Sequence, residues 1–240
     1  RNWSNVSMNN KVKQTETKKP IEGGSFHGLL PPEIKKGNSH SVKTFVLTSA
    51  QNNTAVHTKF LQSLKGYCEI NNARLIIGKF TYNKNGWEKS TTDSEGIYYN
   101  RELKDYLSDE RIELANDLFW CGELNILPTA KYPLTGLEQY TGEASSIIPH
   151  AKISLQSVAT TKHKDCKFLY STGCVTLKNY INKKAGQVAD AAHCFGALVV
   201  EIAENGQWFV RQIETDESGV FQDLDIIYYP SKTAKESSVL

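Results

Sequence analysis

Three kinds of hydrophobic spacing follow one another along the chain. Lys43–Ser49 (KTFVLTS) is a short β-branched run, and the polar residues Ala50–Asn53 after it are turn-like. Val56, Phe60, Leu61, Leu64, Tyr67 and Cys68 then recur at helical intervals and paint one apolar stripe. Thr54 stands where the N-cap of that helix is expected, and Asn71-Asn72 where it stops. Ala73–Phe80 (ARLIIGKF) reads as a second buried strand, so residues 43–80 predict a βαβ unit with parallel strands.

Further on the pattern weakens and then turns to alternation. Residues 81–98 are polar, carry Gly86 and Gly96, and predict a loop ahead of a helical patch over Arg101–Leu107. Leu114–Leu118 predicts a strand or a helix end, and Pro128–Pro149 has no period, the kind of long irregular stretch that often carries function. Runs at Ile153–Val158, Phe168–Thr176, Ala197–Ile202, Gln207–Ile213 and Phe221–Tyr229 follow. Glu204-Asn205-Gly206 and Asp216–Gly219 supply turn chemistry between the last three. The expected class is α/β to α+β: the βαβ unit, then a largely antiparallel β meander, in one domain over 43–230.

Composition changes this picture mainly at the ends. Residues 1–42 are polar and rich in Lys, Thr, Gly and Pro, and predict a flexible basic tail. Seven basic residues (Arg1, Lys11, Lys13, Lys18, Lys19, Lys35, Lys36) against three acidic ones (Glu16, Glu22, Glu33) give it +4, which leaves −2 for the rest of a chain at +2. That balance is no global footprint for nucleic acid or membrane, so such binding must come from local patches. Residues 1–7 precede Met8, the only methionine, and read as a remnant ahead of the natural start. Residues 231–240 are polar again.

The five cysteines, Cys68, Cys121, Cys166, Cys174 and Cys194, lack the CxxC spacing of a zinc site and are odd in number. Free thiols in a reducing compartment are the economical reading. No stretch approaches the roughly 18 apolar residues that cross a bilayer. A cytoplasmic address with no membrane partner is expected.

Candidate chemistry is sparse. Gln51, Asn52 and His57 follow the first strand, where open parallel sheets place ligands and helix N–H groups hold anions; His57 is the candidate acid or base. Without phosphate-loop glycines, Gln51 and Asn52 read first as residues that cap and turn the backbone. His193-Cys194 suggests a nucleophile, but neighbours on a strand point to opposite faces, so a partner such as His150 or His163 would have to come by folding. Lys183 and Lys184, in the basic loop 182–187, are candidates for backbone phosphates, or are simply solvated. Arg211 belongs to the polar face of its strand, free for nucleic acid or paired with Glu201 or Asp223. Asp223 and Asp225, two apart on one strand face, have the spacing to hold a hard cation, or form a solvent-facing acidic edge.

A resemblance adds to these readings. It runs through Thr48–Thr54 with Val56-His57, Leu127–Ala130, Pro133–Glu138, Thr141-Gly142 and Pro149–Lys152. It continues through Ser171–Thr176, Asn179-Tyr180, Lys184–Gly186, His193–Val200, Arg211–Ile213 and Asp223–Asp225. In these ordered strings the chain resembles a family of bacteriophage proteins, over about residues 43–230. The family's later half is a calcineurin-like metallophosphoesterase, and its members are similar to the pre-early nuclease with which T-odd coliphages degrade host DNA.

The Asp-x-His, Gly-Asp and Gly-Asn-His elements that bridge two metals in such enzymes are absent from this sequence. The resemblance therefore implies a non-catalytic N-terminal region of a metal-dependent DNase, one that positions DNA, builds a homo-oligomer, or both. It also implies that residues 231–240 start a linker, that manganese or magnesium sits in the later half and no cofactor in this one, and that the protein works in the cytoplasm of the infected bacterial host. The alternatives are a stand-alone small α/β enzyme acting on an anionic substrate through Gln51, Asn52 and His57, and a module that binds a host protein.

Overall fold

The computed structural model describes residues 43–84, 96–231 and 233–236. The expected basic tail at 1–42 lies outside the described residues, as does most of the loop predicted at 81–98.

The βαβ unit is present. Strand β1 (Lys43–Gln51), helix α1 (Thr58–Asn71) and strand β2 (Arg74–Phe80) follow in order, and β2 pairs parallel to β1, with Leu47 opposite Ile76. Helix α1 starts later than Thr54 because the Thr54 hydroxyl is spent on Asn52 O (2.8 Å). His57 is the cap in its place, accepting the Phe60 N–H at Nδ1 (3.1 Å). Asn72, with φ at 50°, ends the helix in the left-handed region, as the Asn-Asn pair predicts.

A 3-10 helix at Arg101–Tyr106 leads into β3 (Leu107–Ser108). The hairpin β4 (Arg111–Ala115) and β5 (Leu118–Cys121) comes next, then β6 (Ser145–Ile148), β7 (His150–Val158) and β8 (Lys167–Gly173). Helix α2 (Lys184–Ala192) precedes β9 (Phe195–Ile202), β10 (Trp208–Thr215), β11 (Phe221–Asp223), β12 (Ile226–Tyr228) and β13 (Ala234–Glu236).

The later strands are shared among three sheets. The first sheet has the order β10-β9-β1-β2-β3, the second β4-β5-β6-β8-β7, and a small antiparallel third one β11-β12-β13. Hairpins β7/β8 and β9/β10 are antiparallel as their alternation predicts, while β6 runs parallel to both β5 and β8. Mixed pairing of this kind makes the class α/β to α+β.

Alternation along β1, β2 and β9 divides the core. Leu47, Ile76, Leu198, Val200 and Ile202 face the second sheet and pack with Leu118, Trp120, Ile147 and Tyr170. Val46, Leu75, Ile77, Ala197 and Val199 face the other way, against Phe60, Leu61, Leu64 and Tyr67 of α1 and Phe221 and Tyr228 of the third sheet. The far side of the second sheet is covered by Leu134, packed with Cys121, Ile148 and Leu169. The irregular stretch predicted at Pro128–Pro149 divides: residues 128–144 are a covering layer of turns and Ser145–Ile148 is β6. The layer is tied down by buried lysines: Lys152 donates to Ala130 O, and Lys167 to Glu138 O and Gly142 O. Burial pulls both ammonium groups below the usual lysine range.

Candidate functional site

The carboxyl ends of β1 and β8 meet the amino end of β9 where Ser49 of β1 bridges Cys174, just past β8, and Cys174 bridges Phe195. Open sheets present ligand-binding groups at such ends. Here the ends of two sheets converge on one seam of buried polar side chains.

The seam is neutral and hydrogen-bonded throughout most of its length. Ser49 Oγ donates to Gly173 O (2.6 Å), Thr48 Oγ1 to Gly196 O (2.7 Å), and the Gln51 N–H to Thr176 Oγ1 (3.0 Å). Gln51 Nε2 donates to Asn179 O (3.0 Å), and Asn52 Oδ1 accepts the Tyr82 N–H (2.7 Å). Gln51 and Asn52 are 1% and 7% exposed, so both act as backbone ties between β1 and the segments beside it. Gln51 Oε1 has no partner among the described residues.

Three histidines stand around the seam with both ring nitrogens engaged. His57 takes the Phe60 N–H on Nδ1, which places its proton on Nε2, donated to Asp216 O (3.1 Å). His150 takes the Lys152 N–H on Nδ1 (3.0 Å) and donates from Nε2 to Leu127 O (3.2 Å). His193 accepts the Tyr180 hydroxyl on Nδ1 (2.6 Å) and donates from Nε2 to Thr176 O (3.0 Å). Burial pulls the imidazoles of His150 and His193 down to about 4, so both are neutral at pH 7.

Cys194 lies ahead of β9 rather than on it, and His193 is the C-cap of α2, so the alternation expected of a strand does not apply to this pair. The ring nitrogens of His193 and His150 are taken, and the Cys194 thiol is pushed up to about 12 by burial and then by the Glu214 carboxylate. A thiolate nucleophile needs the opposite environment.

The segment at 182–187 is a loop only at Asn182 and Lys183, and from Lys184 on it is α2. Lys183 is the N-cap of α2 without a side-chain cap bond, and Lys184 is its first residue; both are exposed and in no ion pair among the described residues. The helix is weakly signalled because KAGQVADAA offers few large apolar residues, and it buries only Gly186 and Ala189.

Arg211 takes the second of its two expected roles. It donates from Nε and Nη2 to both Asp223 oxygens (2.7 and 2.8 Å) and from Nη1 and Nη2 to Glu201 (2.9 and 3.0 Å). Asp223 and Asp225 do not share a strand face, because Leu224 between them has φ at 52° and turns the chain. Asp223 is buried and Asp225 exposed.

Among the described residues, no three His, Cys, Asp or Glu side chains are grouped so as to hold a metal ion. The seam offers amides, hydroxyls, a buried thiol and occupied imidazoles, a donor set that does not fit a pair of hard divalent cations. Thr176, Asn179 and Tyr180 belong to the seam although their residue types give no sign of it. Their signal is in the ordered strings Ser171–Thr176 and Asn179-Tyr180.

The chain is similar to Protein A1 of Escherichia phage T5. The two are 40% identical over 238 residues, which takes in 95% of this chain and 42% of Protein A1. The chain therefore spans less than half the length of this phage relative. No family model and no solved structure matches. Among the described residues no helix is long and apolar enough to cross a membrane.

Proposed function

We propose that this chain is the non-catalytic N-terminal region of a phage metal-dependent DNase that degrades host DNA, and that it positions DNA and assembles with copies of itself. The observation that carries the first part is the occupancy of the imidazoles: at the strand ends where a hydrolase of this architecture would keep its reactive groups, His57, His150 and His193 have no free nitrogen. A general base needs a lone pair within reach of the proton it takes.

DNA contact rests on Lys183 and Lys184. They flank an uncapped helix start, where the first-turn N–H groups and the helix dipole add to the attraction of two ammonium groups for backbone phosphate. Gln51, Asn52 and Arg211 leave this reading, since all three are committed inside the protein. On this reading the protein works in the cytoplasm of an infected bacterium, which the similarity to a phage protein supports, and manganese or magnesium would serve in the rest of the longer protein.

The test is a plasmid-nicking assay with added manganese, comparing this chain with one as long as the phage relative. Cleavage by the longer chain alone is the expected result. Cleavage by this chain alone would overturn the reading.

A further inference from the structure

The end of the two-sheet sandwich opposite the polar seam is open. Trp208 at the start of β10 is paired with Ile202, which is paired in turn with Lys43 at the start of β1, so this is the far end of the strands from Gln51 and Thr176. A cleft of about 480 Å³ lies there, walled by Phe168 and Tyr170 of β8 and by Trp208 and Val210 of β10, with Asp117 and Asp165 among its lining residues. That volume is within the usual range of ligand sites.

Phe168 and Tyr170 alternate onto one face of β8, with ring centroids 6.1 Å apart. Trp208 and Val210 do the same on β10, so the walls are a continuation of the inter-sheet core. Trp208 donates from Nε1 to Asp117 Oδ1 (2.6 Å), which holds an indole and a carboxylate side by side. Neither Asp117 nor Asp165 is in an ion pair among the described residues. Rings beside carboxylates that no described cation neutralises repel phosphate and attract a cation that can also stack.

A guanidinium does both: it is planar, weakly hydrated, lies on aromatic faces and pairs with carboxylates in two-pronged fashion. Its three-carbon stem suits the apolar walls. The setting suits a polypeptide source, because β10 is the outermost strand of its sheet and Phe209 beside the cleft is 52% exposed. We propose that this cleft captures an arginine side chain presented by an extended segment of a partner polypeptide. The inference is independent of the DNA reading, which concerns the other end of the sandwich.

The test titrates the full chain with Nα-acetyl-arginine amide and follows the indole N–H of Trp208 in nitrogen–proton spectra, assigned by its loss in Trp208→Phe. A saturable shift is expected, with the neutral isostere Nα-acetyl-citrulline amide binding at least about tenfold more weakly. Asp117→Asn and Asp165→Asn, each checked for an unchanged melting curve, should both weaken the arginine response. No saturable shift, or equal responses to arginine and citrulline, would overturn the proposal.

Discussion

Arg211 of β10 and Asp223 of β11 are joined by two parallel charge-assisted hydrogen bonds, 2.7 and 2.8 Å long, that tie the edge of the first sheet to the small third one. Tyr67 of α1 donates to the same carboxylate (2.8 Å), so helix and both sheets are pinned at one point. The Asp223 and Glu201 carboxylates hold the guanidinium well above its usual range. Arg211→Met leaves the Asp223 charge buried with only the Tyr67 hydroxyl, and about 3 kcal/mol of stability should be lost. The urea midpoint would show this. Below its own melting temperature the variant should bind DNA as the parent does; a selective loss of DNA binding with an unchanged midpoint would restore Arg211 as a phosphate contact.

Lys183→Glu with Lys184→Glu is the complementary case. Both side chains are exposed, so the melting temperature should stay within about a degree or two of the parent. DNA affinity should fall, and the slope of log affinity against log salt should flatten by about two, since each phosphate contact contributes roughly 0.9. Fluorescence anisotropy over a salt series reads both numbers. An unchanged slope would remove these lysines from the interface.

The acid limb of stability follows from His150 and His193. Their folded-state values are lowered from 6.5 to about 4, so the unfolded chain takes up protons that the folded one refuses. Their contribution is fully present above about pH 6.5 and is lost as pH falls toward 4. Each contributes up to about 1.4 kcal/mol per pH unit within that window. The double variant His150→Gln, His193→Gln should start less stable at pH 7 yet lose less between pH 7 and pH 5. Equal losses in parent and variant would mean that these imidazoles titrate normally in the folded protein.

What was legible in the sequence is what depends on neighbours in the chain. The strands and helix of 43–80 carry their own period, and Asn-Asn at 71–72 its own stop signal. The α1 cap fell on His57 instead of Thr54 because Thr54 found a nearer acceptor in Asn52 O, a choice settled by a turn with no sequence period. The sharing of β8, β9 and β11 among three sheets was not legible: alternation says that a strand has two faces, not which strand lies beside it. The seam was half legible for the same reason, since Gln51 and His193 lie 142 positions apart and both tie to Thr176.

The irregular layer over 128–144 is held by Lys152 and Lys167, whose ammonium groups bond to backbone carbonyls of that layer. Replacing both by methionine keeps the stems and removes the ties. Limited proteolysis should then cut between Lys131 and Glu143 much faster than in the parent, while cleavage elsewhere is unchanged. An unaltered pattern would mean that Leu134 and its apolar neighbours hold the layer by themselves.

Gly78 tests whether the two sheets pack as closely as described. On β2 it lies under the second sheet, and a Cβ there would meet Pro149 Cγ at 2.3 Å, Pro149 Cβ at 2.5 Å and Trp120 Cζ2 at 2.8 Å. Neither a proline ring nor a fully buried indole can swing aside. Gly78→Ala should therefore cost about 3 kcal/mol, even though alanine in a strand interior is otherwise favoured over glycine by roughly 0.5–1 kcal/mol. Gly96→Ala, with nothing within 4 Å of the new Cβ among the described residues, is the matched control and should be close to neutral. Adding Pro149→Gly to Gly78→Ala should recover part of the loss, a coupling that distant sites do not show. Additive costs in that pair would place Pro149 away from β2 and loosen the contact between the sheets on which the seam depends.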